Sequence, residues 1–88
     1  MATKRKPLMR SICDLLANII KIQKDSIRKD EIRLRKLRAR LQKLLKASPP
    51  DKAAIAEARR EIAELERRIK EEEQTLLELI DHRDEICG

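Results

Sequence analysis

The sequence predicts an all-α fold, an antiparallel two-helix coiled-coil hairpin that dimerises into a four-helix bundle. Three observations carry this expectation. Apolar residues recur at heptad spacing on both sides of a central break, the break itself holds two consecutive prolines, and 43% of the residues are charged while none is aromatic. A chain of 88 residues without Phe, Tyr or Trp must build any core from Leu, Ile and Ala. That suits an elongated helical object better than a compact globule. The mean hydropathy of -0.63 is low enough for disorder, but the regular Leu and Ile spacing argues against it.

The chain reads as a single domain over 1–88, with a basic arm at 1–6, a first helix over 7–46, a turn at 47–51 and a second helix over 52–87. The arm Ala2-Thr3-Lys4-Arg5-Lys6 ends at Pro7, a residue suited to the first turn of a helix. It reads as a solubilising terminus in preference to a phosphate contact or an import-like basic cluster. Its basic residues are too few to neutralise many phosphates. No run of about 18 uncharged apolar residues is present, so no membrane span is expected. Arg10, Asp14 and Lys21 interrupt the stretch that a signal peptide would need, and the reading is of a mature, soluble, cytoplasmic protein.

In the first helix, Cys13, Ile20, Ile27, Leu34 and Leu41 fall at heptad position a, and Met9, Leu16, Gln23, Asp30, Leu37 and Leu44 at d. Nine of these eleven are apolar, which marks a coiled-coil seam. Gln23 and Asp30 are the exceptions. They either fix register and partner choice or mark a loosely packed, wet stretch.

Toward the N-terminal end the apolar surface widens. Leu8, Leu15 and Ile22 stand at c, and Ile12 and Ile19 at g, so with the seam they cover an arc of about 160° at about 100° per residue. A two-helix seam cannot bury that arc, and a partner is implied, either a second copy or another helical protein. Beyond Ile22 the outer face turns basic, with Lys21, Arg28, Lys29, Arg35, Lys36 and Lys43 at b and c. Such a stripe is either a solvated helix face or a contact for phosphates or an acidic partner. No aromatic residue is available to stack on bases.

At the turn, the two prolines of Ala47-Ser48-Pro49-Pro50-Asp51 interrupt a continuous helix. Ser48 with Asp51 three residues on resembles a capping box with Pro49 at the first helical position, so Ser48 is the expected N-cap. Lys46 to Asp51 with Ala53, Ala54 and Ile55 also resembles the mid-chain turn of the small hairpin proteins that polymerise into type III secretion needles, over about ten residues. That resemblance implies a polymerising structural subunit. The regular heptads and missing aromatics are similar to de novo designed helical bundles as well.

The second helix places Ile55, Ile62, Ile69, Leu76 and Arg83 at a, and Ala58, Leu65, Glu72, Leu79 and Ile86 at d. Antiparallel pairing through a tight turn matches residues whose numbers add to 99, such as Leu37 with Ile62 and Leu34 with Leu65. The same arithmetic clusters Gln23, Asp30 and Glu72 in the middle, which is therefore the expected weak zone. The flanking positions, g facing g and e facing e, set Arg33 against Arg68 and Arg38 against Arg59, like-charged pairs, and Arg40 against Glu61 and Lys24 against Glu73, opposite ones. Residues 1–47 carry 15 Lys and Arg against 4 Asp and Glu, net +11, and residues 48–88 carry 7 against 12, net -5. Attraction between the arms favours the antiparallel pair. Leu77 at b and Ile80 and Cys87 at e widen the apolar surface near the C-terminal end. The residues expected to carry assembly are Leu8, Ile12, Leu15, Ile19, Ile22, Leu77 and Ile80.

Cys13 and Cys87 add to 100, one off the pairing rule, and so are expected to be neighbours, joined as a disulfide or held as two small buried thiols. His82 has no second histidine with which to complete a metal set, and reads as a surface residue. With the single glycine at the last position, no phosphate-cradling loop exists, and no nucleophile has a triad around it. The expectation is a non-enzymatic interaction or structural module with no cofactor, no metal and no small-molecule substrate. The competing reading is a nucleic-acid-binding hairpin that uses Lys21, Arg28, Lys29, Arg35 and Lys36.

Overall fold

A computed structural model describes residues 7–88, with side chains from residue 10 onward; the basic arm and the side chain of Leu8, one of the assembly set, fall outside what is described. Helix α1 spans Pro7–Lys46 and helix α2 spans Lys52–Cys87, and the two pack antiparallel along an elongated body of 75 × 14 × 14 Å. Neither helix interior contains a glycine or a proline; α1 is rich in Leu, Lys and Arg and α2 in Glu, Arg and Ala, residues that lose little side-chain freedom in a helix.

The restart at α2 differs from the sequence expectation. Asp51, not Ser48, is the N-cap: it has extended backbone angles, and its Oδ1 accepts a hydrogen bond from the Ala54 amide at 3.1 Å. Ser48 and Pro49, joined by a cis peptide bond, lie in the bend before it. Asp51 wins because its carboxylate both accepts from the open amide and suits the positive end of the helix dipole. At the far end, the Gly88 amide donates to the Asp84 carbonyl and caps α2.

The core is a single zipper. Ile27 and Leu34 of α1 interleave with Ile62, Leu65 and Ile69 of α2, and Leu37, Leu41 and Leu76 pack against them. Ile20 and Ala58 are buried beyond this cluster on either side. Each buried aliphatic side chain contributes about 1.5–3 kcal/mol relative to exposure. Even Ile20, the best covered, retains 3% of its surface, and the others retain 5–9%. Two helices can wrap a side chain from only two sides, so every core residue keeps one edge open to water.

Near the open end the seam drifts. Cys13, at a, is bonded to Cys87, at e, with their Cα atoms 5.9 Å apart. At this end Ile80, Arg83 and Cys87 are half-buried and Ile86, the d residue, is 44% exposed. An undistorted helix slips by about 20° per heptad against a seven-residue repeat, which favours such a drift.

Candidate interaction surface

At the cystine end, α1 presents a row of uncovered aliphatic side chains. Ile12, Leu15, Ile19 and Ile22 are 38%, 58%, 37% and 67% exposed. They follow i, i+3, i+4 spacing, so they form one continuous stripe, and their helical positions set them on the flank of the seam. The hydrophobic positions of the seam are filled by other residues, so these four have no function within the hairpin's own core. On α2 the exposed aliphatic residues at this end are Leu77, 58% exposed, and Ile86. Ile80, also expected in this set, is half-buried.

The stripe has an abrupt boundary. The c positions of α1 read Leu15 and Ile22, then Lys29, Lys36 and Lys43. Those of α2 are Glu57, Glu64, Glu71, Glu78 and Glu85, all exposed. A shallow cleft lined by Arg33, Leu37, Glu61, Glu64, Arg68 and Glu71 shows that this edge of α1 and this edge of α2 share one face. The face is therefore aliphatic beside acidic at the cystine end and basic beside acidic toward the turn.

The basic candidates Lys21, Arg28, Lys29, Arg35 and Lys36 are all exposed. Among the described residues none of the five makes an ion pair, the cationic partners being Arg38, Arg68 and Arg83. The expected pairs Arg40–Glu61 and Lys24–Glu73 are likewise absent from those bridges, because long exposed side chains gain little by being held together. Arg38 reaches Glu66 at 3.4 Å instead of facing Arg59, and Arg68 Nε approaches Asp30 from the rim of the seam.

There Arg68 joins a polar node that sequence reasoning saw only in part. Its Nε lies 3.4 Å from Asp30 Oδ2 and 3.3 Å from Glu72 Oε1. Ser26 Oγ donates to Glu72 Oε2 at 3.0 Å, and Gln23 Nε2 donates to the Glu72 carbonyl at 3.2 Å. Asp30 is 7% exposed, as buried as the aliphatic core. Burial pushes the Glu72 carboxyl above its ordinary range, helped by a hydrogen bond and charge repulsion from Asp30 and opposed by Ser26 and the Arg68 charge. The heptad pattern marked Gln23, Asp30 and Glu72. The g-position neighbours Ser26 and Arg68 were legible too, since a polar d residue is reached from the facing g.

His82 is exposed, and the described residues contain no cluster of three or more His, Cys, Asp or Glu able to hold a metal ion. No helix among the described residues is long and apolar enough to cross a membrane. No family model matches the chain, and comparison with curated proteins and with solved structures gives no match.

Proposed function

We propose that this hairpin works by binding rather than by catalysis, and that it associates with a second copy of itself through the cystine-end stripe. The observation that carries the reading is the row Ile12, Leu15, Ile19 and Ile22, uncovered on a helix whose own seam is already filled. Exposed aliphatic rows of this kind on a short chain mark a contact surface. A core in which every side chain keeps an open edge supports the same reading, because a second helical layer covers those edges.

A copy of the same chain suits the surface electrostatically. The first arm carries net +11 (15 basic, 4 acidic) and the second net -5 (7 basic, 12 acidic), so the α2 of one copy presents glutamates to the basic half of the α1 of another. A four-helix bundle closes such a contact, and a head-to-tail contact that does not close would give the filament of a polymerising subunit. A photo-crosslinking residue in place of Leu15 tests the proposal in purified protein. Covalent dimers are expected, and their absence at micromolar to millimolar concentration would refute it.

A second reading, nucleic-acid binding through the exposed Lys21, Arg28, Lys29, Arg35 and Lys36, is favoured by their lack of ion pairs. It requires affinity for duplex RNA that falls steeply with salt, and no binding at low salt would remove it. The cystine supports an oxidising compartment over the cytoplasm, since disulfides persist where thiols are not kept reduced.

A further inference from the structure

The middle of the hairpin carries a group that association through the cystine end does not use. Asp30 and Glu72 bring two carboxylates into the seam from opposite helices, and Asp30 Oδ2 and Glu72 Oε1 are both buried without a hydrogen-bond partner. Arg68 approaches both, but a guanidinium Nε carries a single hydrogen, and at 3.3–3.4 Å it is aligned with neither oxygen. Its side chain is 61% exposed, so water screens its charge while the carboxylates lie beneath. With both acids ionised, one cation at the rim faces two buried anions. Two orphaned acceptor oxygens from neighbouring carboxyl groups lack one thing, a hydrogen between them.

We propose that Asp30 and Glu72 form a proton-binding site, in which the protonated Glu72 Oε1 donates to Asp30 Oδ2 and one proton makes the node with Arg68 electrically neutral. The groups facing Glu72 are Asp30, the Ser26 hydroxyl and the Gln23 amide from α1, and Arg68 from α2. Arg33, Arg67, Glu64 and Glu71 line the cleft on the outer side of Arg68. The Ser26 hydroxyl serves Glu72 Oε2 and the Gln23 amide donates to the Glu72 carbonyl, and neither is bonded to the two orphaned oxygens.

The direction of the linkage follows from the raised affinity of Glu72 for its proton, relative to an ordinary value of 4.5. The folded chain holds a proton that the unfolded chain releases, so the penalty of the ionised pair is present above the folded pKa. It is relieved as pH falls through that value and is gone below about 4.5. Within the window the folding constant changes by up to about tenfold per pH unit for one proton. The Asp51 cap pins one end and the cystine pins the other, so deprotonation loosens the middle first.

The test is a titration of the Glu72 carboxyl carbon by NMR in the oxidised full chain, paired with thermal melts of wild type, Glu72→Gln and Asp30→Asn between pH 4.5 and 8. A glutamine at 72 donates permanently to Asp30, so E72Q should melt above wild type at pH 8 and lose most of the pH dependence. A Glu72 midpoint at or below its ordinary value would overturn the proposal, as would an E72Q chain that melts below wild type with the same pH slope. Should E72Q not fold, the wild-type titration decides alone.

Discussion

Cys13 and Cys87 are 74 residues apart in sequence and 5.9 Å apart at their Cα atoms, so one covalent bond closes nearly the whole chain into a loop. Its effect falls on the unfolded state. In the loop-entropy account, closing a loop of this length stabilises by about 4 kcal/mol. Urea unfolding with and without reductant should show a large drop in midpoint on reduction, and Cys13→Ser with Cys87→Ser should match the reduced protein. Equal midpoints would mean that the cross-link contributes nothing beyond the packing already present.

The Asp51 cap gives a smaller and more local effect. Asp51→Ala removes the acceptor for the Ala54 amide and should cost about 1 kcal/mol, while Asp51→Asn keeps an acceptor and should cost a few tenths. Ser48→Ala should be near neutral. Chemical denaturation of the three variants separates the two possible caps, and a larger loss at Ser48 than at Asp51 would reverse the assignment.

In the zipper, Ile62→Ala should cost about 2–4 kcal/mol. The site keeps 9% of its surface open and can admit water, so the upper end of the known range is not expected. Leu15→Ala, at a residue 58% exposed, should leave the unfolding midpoint of dilute protein within about 0.5 kcal/mol of wild type. The contrast distinguishes residues that hold the hairpin together from those that face outward.

The hairpin was legible because two strong local signals agree: an a/d pattern sustained over many heptads, and a proline pair that no continuous helix tolerates. The register was legible as well. Asp30 with Arg68 and Ser26 with Glu72 add to 98, and Cys13 with Cys87 to 100, close to the expected 99. The cap was misplaced because Ser48 and Asp51 are both good N-cap residues, and only backbone geometry chooses between them. Ile80 at e is half-buried and Ile86 at d is 44% exposed near the Cys13–Cys87 bond, where a repeat counted residue by residue leaves out the slip of an undistorted helix against seven. Arg68 was set against Arg33 for a similar reason: pairing by position ignores that a long side chain can swing to a buried carboxylate.

The claim on which the account rests is that the aliphatic stripe of α1 is a contact between two copies. Sedimentation equilibrium of the oxidised protein over a wide concentration range, beside Leu15→Glu with Ile22→Glu, tests it most directly. The wild type should fit a reversible dimer, and the double variant should sediment as a monomer with unchanged helical circular dichroism, since neither side chain belongs to the seam. A wild type that stays monomeric at every concentration, or a double variant that associates as strongly, would contradict it.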